Sequence, residues 1–435
     1  MPKGYRPYLP EQDLLLPPRL HEWLPENHLA YFVSDVVEQL DLSEIHMVYE
    51  KELRGQPPYD PGMMTKLLVY GYCVGVYSAR KIQQRLVEDI AFRVLAAGNE
   101  PDFRTIADFR KIHLKALEGL FEQVLKIVLE TGTMKLGRVA LDGTKVKANA
   151  SKHKAMSYER MKEQEKWIRA QVKAMLAQAA ASDAAEDARY GKDKRGDELP
   201  AELQRRETRL RRIREARKAV EERAREAAKA EGKSVQEAKP KDTTQHNFTD
   251  PESRIMKSHE GFLQGYNAQI AVEPEFQLIV GQTVSQAAND KQQVVPMVES
   301  IEVQSGQRPE VILADSGYCS EQNLEYLESA EEPRQRIEAY IATERQKHGE
   351  RPIARRGPLP KAATRVERMK RKLQTRGGAA IYAARKAIVE PVFGQIKQAR
   401  GFRCFSLRGF NKVRSEWAFV CLTHNILKLY RMCYT

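Results

Sequence analysis

Two aspartates, Asp142 and Asp315, each end a short apolar run and are followed by glycine within two residues. The runs are Arg138-Val139-Ala140-Leu141-Asp142-Gly143 and Val311-Ile312-Leu313-Ala314-Asp315-Ser316-Gly317. Both read as strands, being short, apolar and bounded by a turn former. Mixed α/β sheets gather ligand-binding groups at strand ends, where the loops are free of packing duty. A helical stretch with Glu390 follows later. Carboxylates this far apart act together only if the fold makes them converge. Hard oxygen ligands select Mg²⁺ or Mn²⁺ over zinc. Two such ions, about 3.5–4 Å apart, clamp the attacking and leaving oxygens of an in-line phosphoryl displacement. In that chemistry the acids hold metal and are not nucleophiles.

The elements that must position these acids follow from pattern. Residues 1–125 read as helical. Pro61 suits a first helical turn, and residues 63–74 form a strongly apolar helix. Gly75-Val76-Tyr77 breaks it, and Ser78 suits the cap of the next helix through Ile82, Leu86 and Ile90. Helix, short break, helix is the outline of a helix-turn-helix. An apolar stripe of Phe109, Leu117, Leu120, Phe121, Val124 and Leu125 predicts a further helix. Residues from about 151 to 245 are rich in Ala, Arg, Lys and Glu and read as a helical hairpin or a partly mobile insertion, the charged helical insertion spanning 151–250 after the first strand. Strands resume at residues 266–272 and 277–284, with Pro274 in the turn between them. Asn289-Asp290 reads as the cap of a helix through Val294 and Ile301. Residues 339–342 form a candidate last strand, residues 351–376 an intensely basic exposed segment, and helix runs from Ala379 onward. Pro391 leaves two readings for Glu390: a kinked helix, or a helix that starts at Pro391. The expected fold is α/β: a mixed sheet flanked by helices, an all-α N-terminal domain (1–125), and a catalytic domain (126–435) carrying the insertion (151–250).

Bulk properties narrow the partners. With 435 residues the chain is long enough for two or three domains, and a net charge of +13 favours a polyanion, nucleic acid first. Five cysteines, none in a Cys-x-x-Cys pair, argue against structural zinc and for a reducing cytosol. No run of about 18 apolar residues predicts a membrane span, and no apolar signal core opens the chain.

The ordered acids resemble a family: bacterial insertion-sequence transposases with an RNase H-like DDE catalytic domain. Asp142 in Ala140-Leu141-Asp142-Gly143-Thr144-Lys145, Asp315 in Leu313-Ala314-Asp315-Ser316-Gly317-Tyr318, and Glu390 in Val389-Glu390-Pro391-Val392-Phe393-Gly394 look like the family's three carboxylates. Gly265-Tyr266-Asn267-Ala268-Gln269 resembles its second strand, and Pro101-Asp102-Phe103-Arg104-Thr105 the helical domain that often precedes it. The resemblance implies binding of the element's terminal inverted repeats and cleavage and transfer of double-stranded DNA to a target. It also implies two Mg²⁺ or Mn²⁺ ions, a dimer in the synaptic complex and a cytoplasmic, nucleoid-associated protein. A nuclease without strand transfer and a non-catalytic DNA-binding derivative are the alternatives on the same scaffold. Some relatives carry a Tyr, Arg, Glu, Lys signature on the third-acid helix. Tyr382, Arg385, Glu390 and Lys397 follow it, except that four residues rather than three separate Arg385 from Glu390. On a continuous helix Lys386 would share the face of Tyr382 and Glu390, so Lys386 is expected to take the phosphate-contacting role of Arg385. Lys397, Arg400 and Arg403 are expected on DNA phosphates, whereas Phe402 and Phe405 are expected in the core.

Overall fold

In the computed structural model, residues 19–434 are described, except 51–56, 131, 133, 135, 191–200, 231, 236–237, 259–260, 329–335, 345–356, 358 and 361. The N-terminal region is helical throughout: α1 (Leu29–Glu38), α2 (Ser43–Tyr49), α3 (Pro61–Cys73), α4 (Ala79–Glu88), α5 (Ile90–Leu95), α6 (Phe103–Ile112) and α7 (Leu114–Glu130). Local chemistry sets the starts of these helices. Asp60 accepts from the Met63 N–H with Pro61 in the first turn, Asp102 accepts from Arg104 and Thr105, and Asp89 from Ala91. Ser78 flanks α4 without making a capping bond.

Next comes β1 (Arg138–Lys147), then the small ribbon of β2 (Ala155–Ser157) and β3 (Gln245–Asn247), with helices α8 (Tyr158–Tyr190) and α9 (Ala201–Ala230) between its strands. The helical hairpin expected for the insertion is therefore present. It has a core of its own, Met161, Ile168 and Val172 against Leu210, Ile213 and Val220. Glu165, 5% exposed at its side chain, sits inside that hairpin and is matched by Arg169, Arg214 and Arg217 at 2.6–3.1 Å. A buried acid among three guanidinium groups fixes the pairing of the two helices.

The main sheet adds β4 (Arg254–Ser258), β5 (Gly261–Val272), β6 (Ile279–Ser285), β7 (Val311–Ala314) and β8 (Glu338–Ile341). Its order is β4-β5-β1-β7-β8, with β6 also paired to β5. The pairs among β1, β4, β5 and β6 are antiparallel, and β7 joins β1 and β8 in parallel. This is the expected RNase H-like mixed sheet. Parallel strands need crossovers, and α10 (Val294–Ser305) and α11 (Glu321–Glu328) supply them. The chain closes with α12 (Arg365–Gln374), α13 (Arg376–Gly394), a π-helical turn over Gln395–Ala399, and α14 (Phe410–Tyr434).

Two expectations are corrected. β1 does not end at Asp142 but runs on to Lys147. The helix after β6 begins at Val294 with Gln293 at its cap, so Asp290 is not a cap. Within the basic 351–376 segment, read as an exposed loop or short helices, the short helix α12 starts with a capping box of Thr364 and Glu367. Pro391 neither starts nor ends a helix, because α13 runs through it. Its missing N–H would have bonded Ala387 four residues back. The Ala387 carbonyl instead accepts from the Gln277 side-chain amide at 3.1 Å, so the orphaned acceptor is satisfied.

A single hydrophobic core runs from the N-terminal helices into the sheet, with α14 between them. Trp417, Val420, Cys421 and Leu422 of α14 are fully buried. Glu416 on the same helix is also buried and accepts from the Tyr72 hydroxyl, the Ser406 hydroxyl and the N–H groups of Ser406 and Leu407. One carboxylate thus ties α3, α14 and the 406–407 turn. The break after α3 docks against the same region. Gly75 has φ +79°, and a Cβ there would lie 2.7 Å from the Arg400 carbonyl oxygen. Gly75→Ala therefore combines left-handed strain with a backbone overlap. It should destabilise the fold by at least about 1–2 kcal/mol in chemical denaturation. An unchanged midpoint would show that this turn is not packed on Arg400.

Candidate active site

β1 is the central strand, hydrogen-bonded on both edges, so its register is fixed. Asp142 pairs with Ile270 of β5, and Ala140, two residues earlier, pairs with Leu313 of β7. Asp315 directly follows the end of β7. The two acids are thus carried by adjacent parallel strands, Asp142 in the middle of β1 and Asp315 just past the end of β7, and the Asp315 charge raises the Asp142 carboxyl. Each carboxylate is also pinned by a nearby N–H: Gly143 donates to Asp142 and Gly317 to Asp315, both at 2.8 Å.

Successive side chains of a strand point to opposite faces. Asp142 and Thr144 face α13 and its π-helical extension. There Arg385 Nη1 lies 3.1 Å from Asp142 Oδ2, and Lys397 donates to the Thr144 hydroxyl and, at 3.0 Å, to the Lys145 carbonyl. Burial pushes the Asp142 carboxyl up to about 6, with the Asp315 charge adding to the rise and Arg385 opposing it. The phenol of Tyr382, beside Arg385, is likewise pushed up by burial.

Gly143 and Lys145 face the other side, and there the structure gathers residues that the motif left out. Asp290 Oδ1 accepts from Asn267 at 2.6 Å and from Gln269 at 2.7 Å, and Lys145 Nζ lies 3.5 Å away. Gln269 in turn accepts from the buried Tyr318 hydroxyl. A Cβ at Gly143 would lie 2.2 Å from Gln269 Nε2 and 3.0 Å from Asp290 Oδ1, so only glycine leaves room for this cross-strand network. Burial pulls the Lys145 ammonium down, while Asp290, Asp315 and Asp142 all pull it back up. Lys145 and Arg385 are therefore the cations that balance the acid cluster from its two faces. Asn267 and Gln269 alternate along β5, which was the legible signal. Asp290 lies in a loop with no periodicity and carried none.

The remaining candidates separate by burial. Arg385 is buried on Asp142, where its charge is taken up by an ion pair, whereas Lys386 is exposed. The cause is the register of α13, whose Arg385, Ile388, Val389 and Val392 form the buried face. Glu390 is exposed on α13. Lys397, in the π-helical turn that follows α13, is the residue that meets Thr144. Arg400 is not on the surface. Its guanidinium donates to the Thr423 hydroxyl at 2.8 Å and to the Val420 carbonyl at 3.3 Å, so it packs the core against α14. Arg403 is exposed, and Phe402 and Phe405 are core residues, as expected.

The donor set suits a divalent cation. Mg²⁺ keeps several waters and needs only one or two protein carboxylates beside substrate phosphates. Asp142 and Asp315 offer two on neighbouring strands. Among the described residues no group of three or more acids, histidines or cysteines is placed to hold a metal ion.

Two family models match this chain. One, described as a transposase DDE domain, matches residues 231–426, which include Asp290, Asp315, Arg385, Glu390 and Lys397 but not Asp142. A second, described as a transposase domain, matches residues 18–112. Searches for similar curated proteins and similar solved structures returned no match. Among the described residues no helix is long and apolar enough to cross a membrane.

Removing one partner of a buried ion pair strands the other. Arg385→Ala should therefore destabilise the metal-free protein by about 3 kcal/mol in urea denaturation. Lys386→Ala should stay within about 0.5 kcal/mol, as at other exposed positions. Equal effects would contradict the assignment of Arg385 to Asp142. The two transposase models, one on each side of β1 and the helical hairpin, together indicate an insertion-sequence DDE transposase.

Proposed function

We propose that this protein binds the terminal inverted repeats of its element and catalyses metal-dependent cleavage and transfer of DNA strands. Asp142, Asp315 and Glu390 would be the residues that hold the metal, with two ions in the full complex. The observation that carries this reading is the meeting of Asp142 and Asp315 on adjacent parallel strands, beneath the helix that bears Glu390. Bound divalent ions supply a lowered pKa for the attacking water or DNA 3′-hydroxyl and offset charge on the leaving oxygen.

The chain's own residues prepare that chemistry. Gly143 and Gly317 orient the two carboxylates through their N–H groups. Arg385 neutralises Asp142 until a more highly charged cation competes for it. Lys145, held by Asp290, keeps positive charge next to the acids, where a phosphate would approach. Lys397 braces β1 against the helix of Glu390. The exposed Lys386 and Arg403 are the cations in this region placed to meet phosphate oxygens. Residues 1–125 are read as the DNA-end-binding part and 126–435 as the catalytic part, with the 151–250 insertion between its first strands. Two ends must be brought together, so the working assembly is read as a dimer acting on DNA in the cytoplasm.

An assay with the element's own ends, Mg²⁺ and a target duplex tests the reading. Asp142→Asn, Asp315→Asn and Glu390→Gln should each lower cleavage and joining by more than about a hundredfold. Even the loss of an outer partner of a metal ligand costs about ten- to a hundredfold. DNA binding should be largely spared. A variant that keeps full activity removes its residue from the site. Cleavage without joining would support a nuclease instead, and binding alone a non-catalytic derivative.

A further inference from the structure

A groove of about 720 Å³ lies beyond the catalytic end of β1. It is lined by the end of β1 and its following loop (Lys147, Asn149, Lys152, Lys154), by the start of β5 (Phe262, Gln264), and by Cys404 and Arg408 of the turn before α14. Three features set it apart from an ordinary crevice. Among its described lining residues the ionised side chains are all cationic: Lys147, Lys152, Lys154 and Arg408. Phe262, on the groove's rim, is 67% exposed, although it stands in a strand of the main sheet. Gln264 is 5% exposed, and its side-chain carbonyl oxygen is buried with no hydrogen-bond partner.

The groove lies along β1 from the acid site. Lys147 is five residues along β1 from Asp142, about 16–17 Å at strand spacing. The exposed Arg403 bridges the interval, since its carbonyl accepts from the Lys147 N–H while its side chain bonds the Lys397 carbonyl and the Gln398 side chain. The walls are built rather than incidental. Arg408 Nε donates to the Asn149 carbonyl at 2.8 Å, Asn149 donates to the Ser406 carbonyl at 2.7 Å, and the Phe405 N–H bonds Lys147.

We infer that this groove is a binding site for an unpaired DNA strand leaving the catalytic centre, with Phe262 stacking on a base. The cations would track the phosphates, as in sequence-tolerant single-strand sites. An aromatic ring gains a base face only where that base is not already stacked in a duplex, so Phe262 selects unpaired DNA. This site rests on the DNA-processing reading above but adds a strand-specific surface outside the carboxylate site.

The test uses the full-length chain and fluorescein-labelled duplexes, blunt or with a single-stranded overhang, in fluorescence anisotropy. The overhang should bind about tenfold more tightly than the blunt duplex. Phe262→Ala should lose about that factor on the overhang alone, whereas Phe262→Tyr should keep it. Lys152→Glu with Lys154→Glu should weaken overhang binding and flatten its salt dependence. Phe262 is exposed, so these variants should fold normally, which unchanged blunt-duplex binding would confirm. Equal binding of Phe262→Ala and wild type to the overhang overturns the groove assignment and leaves the transposase reading intact. A wild-type chain that binds neither DNA overturns both.

Discussion

The structure turns on one electrostatic constraint: a carboxylate with a raised pKa in the middle of the central strand. Asp142 cannot move away from Asp315, because β1 is hydrogen-bonded to β5 on one edge and to β7 on the other. Burial and the neighbouring acid both oppose its charge. Two like charges in such a place need cations, and the chain supplies one on each face of the strand. Arg385 comes from α13 and Lys145 from β1 itself, with Asp290 holding the lysine in turn. The cost of assembling acids is thus met by groups that a phosphate-bound metal can later displace or reinforce.

The surrounding fold can be understood as what keeps those charges in place. α13 must continue past Pro391 to carry both Arg385 and Glu390, and Gln277 repairs the broken backbone ladder. α14 fills the space between the sheet and the N-terminal helices, and its Asn425 pairs with both backbone groups of Ile279 on β6. Glu416 and Gly75 then lock the N-terminal helices to the turn around residues 400–407. Residues matched by two separate family models therefore share one core.

Much of this was legible in sequence, and the reason is local. Asp142 and Asp315 end apolar runs before glycine, and the strands formed there. The charged insertion had helical composition, and it is a helical hairpin. What could not be read depended on long-range geometry. Pattern alone favoured Lys386 on the face of Glu390. The observed helix register, set by packing of Ile388, Val389 and Val392 on the sheet, turns Arg385 inward instead. Arg400 looked like one of a row of surface cations. Its burial follows from α14, whose Thr423 and Val420 receive its guanidinium. Asp290 had no periodicity or motif to mark it, and only folding places it within reach of Lys145, Asn267 and Gln269.

The central claim is that ionised Asp142, released from Arg385, holds a divalent cation together with Asp315. Titration of the full-length protein with Mn²⁺, followed by electron paramagnetic resonance across a pH series, tests it without any catalytic readout. The folded-state pKa of Asp142 is raised from the ordinary 3.8 to about 6, so its carboxyl is protonated below that pH and ionised above it. Mn²⁺ affinity should therefore be full above about pH 7 and fall as pH drops through about 6. Asp142→Asn should weaken it at least tenfold at pH 7.5, by roughly the loss that even outer-sphere partners cause. Wild-type affinity in Asp142→Asn, or affinity that ignores pH between 5 and 7.5, would contradict the account.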